Sequence, residues 1–110
     1  MKTIIAGGRD YTLSPEDIEW LGTLGITEVI SGGARGADRG GEQWALDKGL
    51  PLTIISAEWM KHGLAAGPVR NKKMAEYAEA VVLFPGGKGT ESMRKEAEIM
   101  YLPIFEAVQV

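Results

Sequence analysis

Three times along this chain, a short apolar run ends in a glycine-rich turn that leads into a segment with helical spacing. The clearest case is the run Val81–Phe84, followed by the turn Pro85–Gly89. Short apolar runs bounded by glycine and proline are typical of buried strands, and strands that alternate with helices favour a parallel sheet. The sequence therefore predicts an α/β fold, with one domain over residues 1–110 built on a doubly wound parallel sheet of about five strands and helices on both faces.

The remaining apolar runs and helical patterns complete this prediction. Strands are expected at 3–6, 27–31, 51–55, 80–84 and 102–108. Helices are expected from Ser14-Pro15 to Gly25, from the glycine-rich turn at 31–38 to Gly49, and over 68–78. A last helix is expected after Gly89, with Met93, Ala97, Met100 and Tyr101 on one face. Gly40 and Gly41 lie inside the second helix, which predicts close packing or close ligand approach there. The stretch 57–69 is predicted to be a loop with one helical turn, and long loops of this kind are often lids.

The three glycine-rich turns follow the first, second and fourth predicted strands. In a 3-2-1-4-5 strand order they become neighbours where the order reverses, which is where open α/β sheets bind ligands. Glycines let backbone N–H groups approach an anion, and the first turn of a helix has unpaired donors at its positive end. We therefore expect phosphate binding across these turns, although any single turn has the alternative of a tight connection that binds nothing. The candidate ligand-binding residues are Gly7, Gly8, Arg9, Asp10, Ser31, Gly32, Gly33, Ala34, Arg35, Gly36, Asp38, Pro85, Gly86, Gly87, Lys88, Gly89 and Thr90.

Composition and known fingerprints narrow the function classes. The net charge of −3 offers no global basic field for duplex nucleic acid. The absence of cysteine excludes disulfides and thiolate metal sites, and the single histidine, His62, has no partner at ligand spacing, so no metal is expected. No apolar run suits a signal peptide or the ~18 residues of a membrane helix, which predicts a cytoplasmic protein without a membrane partner. Neither G-x-x-x-x-G-K-[ST] nor G-x-G-x-x-G occurs, which argues against an ordinary ATPase or dehydrogenase.

Four segments taken together resemble the SLOG superfamily, and its small YspA-like members most closely. They are Gly7-Gly8-Arg9-Asp10, Ser31-Gly32-Gly33-Ala34-Arg35-Gly36-Ala37-Asp38, Gly67-Pro68-Val69-Arg70-Asn71 and Phe84-Pro85-Gly86-Gly87-Lys88-Gly89-Thr90. The likeness spans nearly the whole chain, and relatives include the Lonely Guy phosphoribohydrolases and the DNA-processing Smf/DprA proteins. It implies a Rossmann-like fold, a pocket for a nucleotide or nucleotide-derived ligand, and a homodimer. It also adds Arg70 and Asn71 to the candidate ligand-binding residues.

The Lonely Guy enzymes cleave the N-glycosidic bond of nucleoside 5′-monophosphates, and their patterns include R-K-x-x-M and P-G-G-x-G-T-x-x-E. Arg70 and Met74 keep the spacing of the first pattern, so Arg70 corresponds to the family's arginine. Met93 stands where the hydrolases place their catalytic glutamate, which argues against this reaction because a thioether cannot accept a proton. If the chain is an enzyme of this kind, Arg70 and Glu91 are the candidate catalytic residues, with Asp10 or Asp38 as substitute acids.

The sequence therefore favours binding of a nucleotide-type ligand, with no cofactor required. One alternative is a phosphoribohydrolase. A second alternative is a single-stranded DNA-binding or protein-interaction module, by analogy with Smf/DprA; the net acidity and the lack of an aromatic-basic stripe make a nucleic acid partner unexpected. Trp59 is read either as a base-stacking residue or as part of a lid packed on the core.

Overall fold

The computed structural model describes residues 1–107 and shows an α/β fold around a five-stranded parallel sheet. The strands are β1 (Lys2–Ala6), β2 (Glu28–Ser31), β3 (Leu52–Ile54), β4 (Ala80–Leu83) and β5 (Ile104–Glu106). Their order is β3-β2-β1-β4-β5, and each neighbouring pair is parallel. The predicted fold class is confirmed, and the strand order is the one in which the three glycine-rich turns become neighbours. Val108, at the end of the last predicted strand, lies outside the described residues.

Helices cover both faces of the sheet, as the prediction required. They are α1 (Pro15–Leu21), α2 (Ala37–Lys48), α3 (Trp59–His62), α4 (Ala66–Tyr77) and α5 (Lys88–Ile99), with a 3₁₀ turn at Gly63–Ala65. Successive strand side chains point to opposite faces, so Ile4 joins a core cluster with Met74 of α4 and Met93 of α5. Ile5 joins the opposite cluster with Leu21 of α1 and Trp44 of α2. Among residues 1–107, the helices are too short and too polar to cross a bilayer.

Local sequence signals explain where α1 begins and where α2 ends. Ser14 caps α1: its hydroxyl accepts from the Asp17 N–H, and the Asp17 carboxylate accepts from the Ser14 N–H. Helix α2 ends at Gly49, whose φ of 69° is left-handed. Within α2, a Cβ at Gly41 would lie 2.7 Å from Cγ2 of Ile5. Close packing of this helix on the sheet therefore accounts for its glycine.

Several predicted boundaries are wrong, and those at the ends of α1 and α5 differ by most of a helical turn or affect the buried face. Helix α1 ends at Leu21 rather than continuing to Gly25, because the Gly22 N–H already turns back to the Glu19 carbonyl. Beyond the end of α5, Met100 and Tyr101 are exposed and do not continue the buried face.

The stretch 57–69 is mostly helical rather than a loop, since it contains α3, the 3₁₀ turn and the start of α4. Pro68 falls in the first turn of α4, where its missing N–H has no helical partner to lose.

Candidate functional site

A cavity of about 670 Å³ opens at the carboxyl ends of β1, β2 and β4. The turn after β1 contributes residues 7–9, and the turn after β2 contributes Ala34, with Asp38 from the start of α2. The turn after β4 contributes Gly87, with residues 88–90 from the start of α5. Helix α4 closes the remaining side. The three turns therefore meet at one cavity because β1 lies between β2 and β4 in the sheet. Its volume lies in the range of pockets for small organic ligands and cofactors, roughly 300–1,000 Å³.

Several of the turn glycines are required by packing between the turns themselves. A Cβ at Gly7 would lie 2.7 Å from Cβ of Ala37, and one at Gly8 would lie 2.9 Å from the carbonyl oxygen of Pro85. A Cβ at Gly86 would lie 2.7 Å from the Gly8 nitrogen. In the same place, the Gly8 N–H donates to the Pro85 carbonyl at 2.8 Å. Gly8 and Gly86 therefore let the turns after β1 and β4 approach backbone to backbone, and Gly7 makes room for Ala37.

Gly87 and Gly89 differ from that group, because a Cβ at either position would meet nothing within 4 Å. Both line the cavity, on either side of Lys88, at the beginning of α5. Gly87 is the N-cap, and no side chain caps this helix. Within residues 1–107, the N–H groups of residues 88–90 have no hydrogen-bond partner. Free donors at a helix N-terminus that opens into a cavity suit an anionic ligand.

Asn71 connects α4 to this N-terminal turn. Its side chain is buried, and its amide donates to the Gly89 carbonyl at 3.4 Å and to the Ser92 hydroxyl at 3.1 Å. Its side-chain oxygen accepts from Nε of Arg70 at 2.8 Å. One amide therefore holds both the start of α5 and the arginine of α4 at the cavity wall.

Arg70 reaches across the cavity to the turn after β2. Its Nη1 donates to the Gly32 carbonyl at 2.6 Å, and a Cβ at Gly32 would collide with that guanidinium. Burial lowers the pKa of Arg70 below its ordinary value, the nearby Asp38 carboxylate opposes that shift, and Arg9 adds to it. A guanidinium has five donors, and these two bonds leave three without a partner within residues 1–107.

Asp38 is the one carboxylate that lines the cavity within the described part of the chain, and it is buried. Burial raises its pKa from 3.8 to about 6, against the opposing effects of the Ala34 N–H and the Arg70 charge, while Glu42 raises it further. The Ala34 N–H donates to Oδ2 at 3.2 Å. An acid with a pKa this close to neutrality, inside a cavity, is typical of functional sites.

Replacing Asp38 with asparagine should change how stability depends on pH. Because the folded-state pKa is raised, ionised Asp38 destabilises the fold; this penalty is absent below about pH 4 and complete above about pH 6. The free energy of unfolding of Asp38→Asn, taken relative to the wild type, should therefore rise by about 3 kcal/mol from pH 4 to pH 7, as the shift in pKa requires. Urea unfolding at pH 4, 5, 6 and 7 measures this difference.

Asp10→Asn is the matched control, because the Asp10 side chain is 93% exposed and lies outside the cavity. Its stability should stay within about 0.5 kcal/mol of the wild type at every pH. Parallel pH profiles for Asp38→Asn and the wild type would contradict the assignment.

Other predicted residues lie outside the cavity lining. Asp10 and Arg35 form an exposed ion pair with each other at 3.2 Å. Glu91 pairs with Arg94 at 3.2 Å on the outer side of α5. Ser31 is buried and donates to Glu42 at 2.6 Å while accepting from the Gly33 N–H, so it shapes the turn from behind. The remaining predicted residues outside the lining are Gly32, Gly33, Gly36, Pro85 and Gly86.

The apolar part of the cavity wall was largely missed by the sequence prediction. Trp59, for which the sequence leaves open stacking on a base, does line the cavity. The lining residues that sequence reasoning did not select for the site are Ala6, Leu64, Gly67, Pro68, Met74, Ser92 and Met93. Met74 and Met93 are buried core residues that also reach the cavity. Their helical spacing predicts burial, but nothing in that spacing indicates which buried residue borders a cavity.

Comparison with known proteins gives one relative. No family model matches the chain, and no solved structure matches it. Among curated proteins, the chain is similar to the Gene 61 protein of Mycobacterium phage D29, with 36% identity over 85 residues. The matched region covers 70% of this chain and 68% of that protein.

Proposed function

For this chain, which belongs to the family of the Gene 61 protein of Mycobacterium phage D29, we propose a function from the chemistry of the cavity. It binds a nucleotide or nucleotide-derived phosphorylated ligand. The observation that carries the proposal is the uncapped N-terminus of α5, where free N–H groups open into the cavity beside Gly87 and Gly89. A phosphate there would accept backbone hydrogen bonds and meet the positive end of the helix dipole.

Cationic side chains support the same placement of the phosphate. Arg9, Arg70 and Lys88 all line the cavity. Arg70 keeps three donors for oxygens of the ligand, and a guanidinium binds phosphate through paired hydrogen bonds. Asp38, the carboxylate of the cavity lining within residues 1–107, is suited to accept hydrogen bonds from ribose hydroxyls, as carboxylates do in dinucleotide sites.

Membership of the SLOG superfamily is part of this proposal. Its support is that each of the four motifs behind the resemblance contributes residues to the one cavity. In chain order these residues are 7–9, then Ala34 and Asp38, then Gly67, Pro68, Arg70 and Asn71, and finally 87–90. The homodimer that the resemblance implies stays a prediction.

A ligand screen tests the proposal. The four nucleoside 5′-monophosphates, the matching nucleosides and inorganic phosphate are compared by thermal shift and calorimetry. At saturating concentrations we expect at least one nucleotide to raise the melting temperature by about 5 °C or more. Its nucleoside should bind at least about tenfold more weakly, because it lacks the charged group. If none of the nucleotides shifts the melting temperature, the proposal is wrong.

Hydrolysis of the N-glycosidic bond is a second candidate function, and Asp38 favours it. Its pKa of about 6 leaves it mostly ionised at pH 7, and an ionised carboxylate in the cavity is suited to stabilise an oxocarbenium-like centre. Met93, which stands where the hydrolases place their catalytic glutamate, also lines this cavity but has no acid group. The test is to incubate the protein with the nucleoside 5′-monophosphates and to measure free base. Free base that is formed by the wild type and not by Asp38→Asn would support hydrolysis. If the wild type forms no free base, the hydrolysis proposal is wrong and only the binding proposal stands.

A further inference from the structure

The segment 57–65, which contains α3 and the 3₁₀ turn, presents apolar side chains at the mouth of the cavity. Trp59 is 52% exposed, and Met60 and Leu64 are almost fully exposed. Trp59 and Leu64 line the cavity, whereas Met60 does not. Large apolar side chains that are exposed to water beside a cavity often mark a surface that a ligand or a partner covers. A ligand in the cavity is the group that lies next to them.

This segment is also weakly attached to the rest of the fold. Neither α3 nor the 3₁₀ turn contains a buried residue, and α3 packs mainly on α4 and on the turn that follows it. No side chain caps α3, and the ion pair between Glu58 and Lys73 is exposed at 3.8 Å. Gly63 connects the two pieces with a φ of 57°, and a Cβ there would meet nothing within 4 Å. Segments with few buried contacts belong to the low-stability end of a protein and can move at little cost.

The aromatic ring of Trp59 is nevertheless directed by α4. A Cβ at Gly67 would lie 3.8 Å from Cη2 of Trp59, so the ring sits beside the start of that helix. The same helix supplies Arg70 and Asn71 to the cavity one turn later. An aromatic ring and an anion-binding group are therefore presented to one cavity by the same stretch of chain.

We propose that the ligand carries a planar aromatic base, and that Trp59 stacks on this base while the segment 57–65 closes over it. The inference rests on the proposed function, and it names the part of the ligand that phosphate chemistry leaves open. With the phosphate on the first turn of α5, the base lies against Trp59 and Leu64. An indole offers a large, rigid face at low entropic cost, and base–aromatic stacking adds affinity without reading a particular base.

Binding of the four nucleoside 5′-monophosphates is compared with binding of ribose 5-phosphate, which has the phosphate and sugar but no base. We expect the best nucleotide to bind about tenfold or more tightly than ribose 5-phosphate. Trp59→Ala should remove most of that difference and leave ribose 5-phosphate binding within about twofold. Trp59→Phe should keep most of the difference, because it retains an aromatic face.

Met60→Ala is the matched control, since Met60 is an exposed apolar residue of the same helix that lies outside the cavity. Its nucleotide affinity should stay within about twofold of the wild type, as for a surface substitution. The emission of Trp59 gives an independent readout: nucleotide should change the protein fluorescence, ribose 5-phosphate should not, and the change should be lost in Trp59→Ala.

The outcomes separate this inference from the function on which it rests. If nucleotides and ribose 5-phosphate bind equally, or if Trp59→Ala binds nucleotide like the wild type, the stacking inference is overturned and phosphate binding stands. If no nucleotide and no ribose 5-phosphate binds the wild type, the proposed function fails and the inference fails with it. If the melting temperatures of the variants equal that of the wild type, the losses of affinity come from the substituted side chain and not from unfolding.

Discussion

Gly36→Ala is expected to lower the free energy of unfolding by about 3 kcal/mol, through a strained backbone and a steric clash. Gly36 has φ 78° and ψ −127°, a region that is essentially open only to glycine. A Cβ there would also collide with the carbonyl oxygens of Gly8 and Arg9. Both are backbone atoms of the neighbouring turn, so they cannot move aside as a flexible side chain would. Urea unfolding of the two proteins measures the loss.

Gly49→Ala is the control for a positive φ at a position without a steric clash. Gly49 also has positive φ, at 69°, but a Cβ there would meet nothing within 4 Å. This substitution should cost only about 1 kcal/mol, which is the local conformational penalty. If the two variants lose equal stability, close approach of the first two turns is not what requires glycine at position 36. Because those turns form two walls of the cavity, Gly36→Ala should also weaken nucleotide binding, whereas Gly49→Ala should leave it unchanged.

Arg70→Ala is expected to weaken binding of the best nucleotide from the screen by about 100-fold, as charge-assisted hydrogen bonds to a phosphate are lost. The substitution also removes the bond to the Gly32 carbonyl and the positive charge beside Asp38. Without that charge the pKa of Asp38 should rise further above its ordinary value. Once Asp38 does ionise, its unneutralised negative charge should repel the phosphate, so the loss of affinity should be larger at pH 8 than at pH 5.5. Calorimetry at pH 5.5 and pH 8 measures both effects.

Arg35→Ala is the matched control for Arg70→Ala. Both arginines were predicted as ligand-binding residues, but the Arg35 side chain is 72% exposed, pairs with Asp10 and lies outside the cavity. Its removal should change nucleotide affinity by less than about threefold, as screened surface charges do. Arg70→Lys keeps the charge but loses the planar fork, so it should fall between the wild type and Arg70→Ala. Equal losses for Arg35→Ala and Arg70→Ala would place the ligand elsewhere.

The fold could be predicted because its signals are local. The capping box at Ser14 and the left-handed Gly49 are each written in a few adjacent residues, and both mark helix ends in the structure. The apolar runs predicted the strands, and their alternation with helices predicted a parallel sheet, as the structure shows. The end of α1 was predicted wrongly because two local signals compete there, Gly22 and Gly25.

The site was harder to predict, because membership of a motif does not say which way a residue faces. Gly86 and Gly87 are adjacent in the same turn, yet one is needed for contact with Gly8 and the other borders the cavity. Leu64 comes from a segment with weak periodicity, so its place at the cavity mouth has no signal in the sequence. For Trp59, in the same segment, the sequence left open whether the ring stacks on a ligand or packs on the core.

By itself, the sequence determined the fold class and the three glycine-rich turns, since each depends on residues that are near neighbours in the chain. The tertiary structure decided the strand order. Only the tertiary structure decided which glycines separate backbones and which face open space. It also decided that Arg70 rather than Arg35 reaches the cavity, and that Asp38 is buried there. These outcomes depend on distances between segments brought together by the sheet, and on how far each charge is removed from water, and neither quantity is encoded in a local pattern.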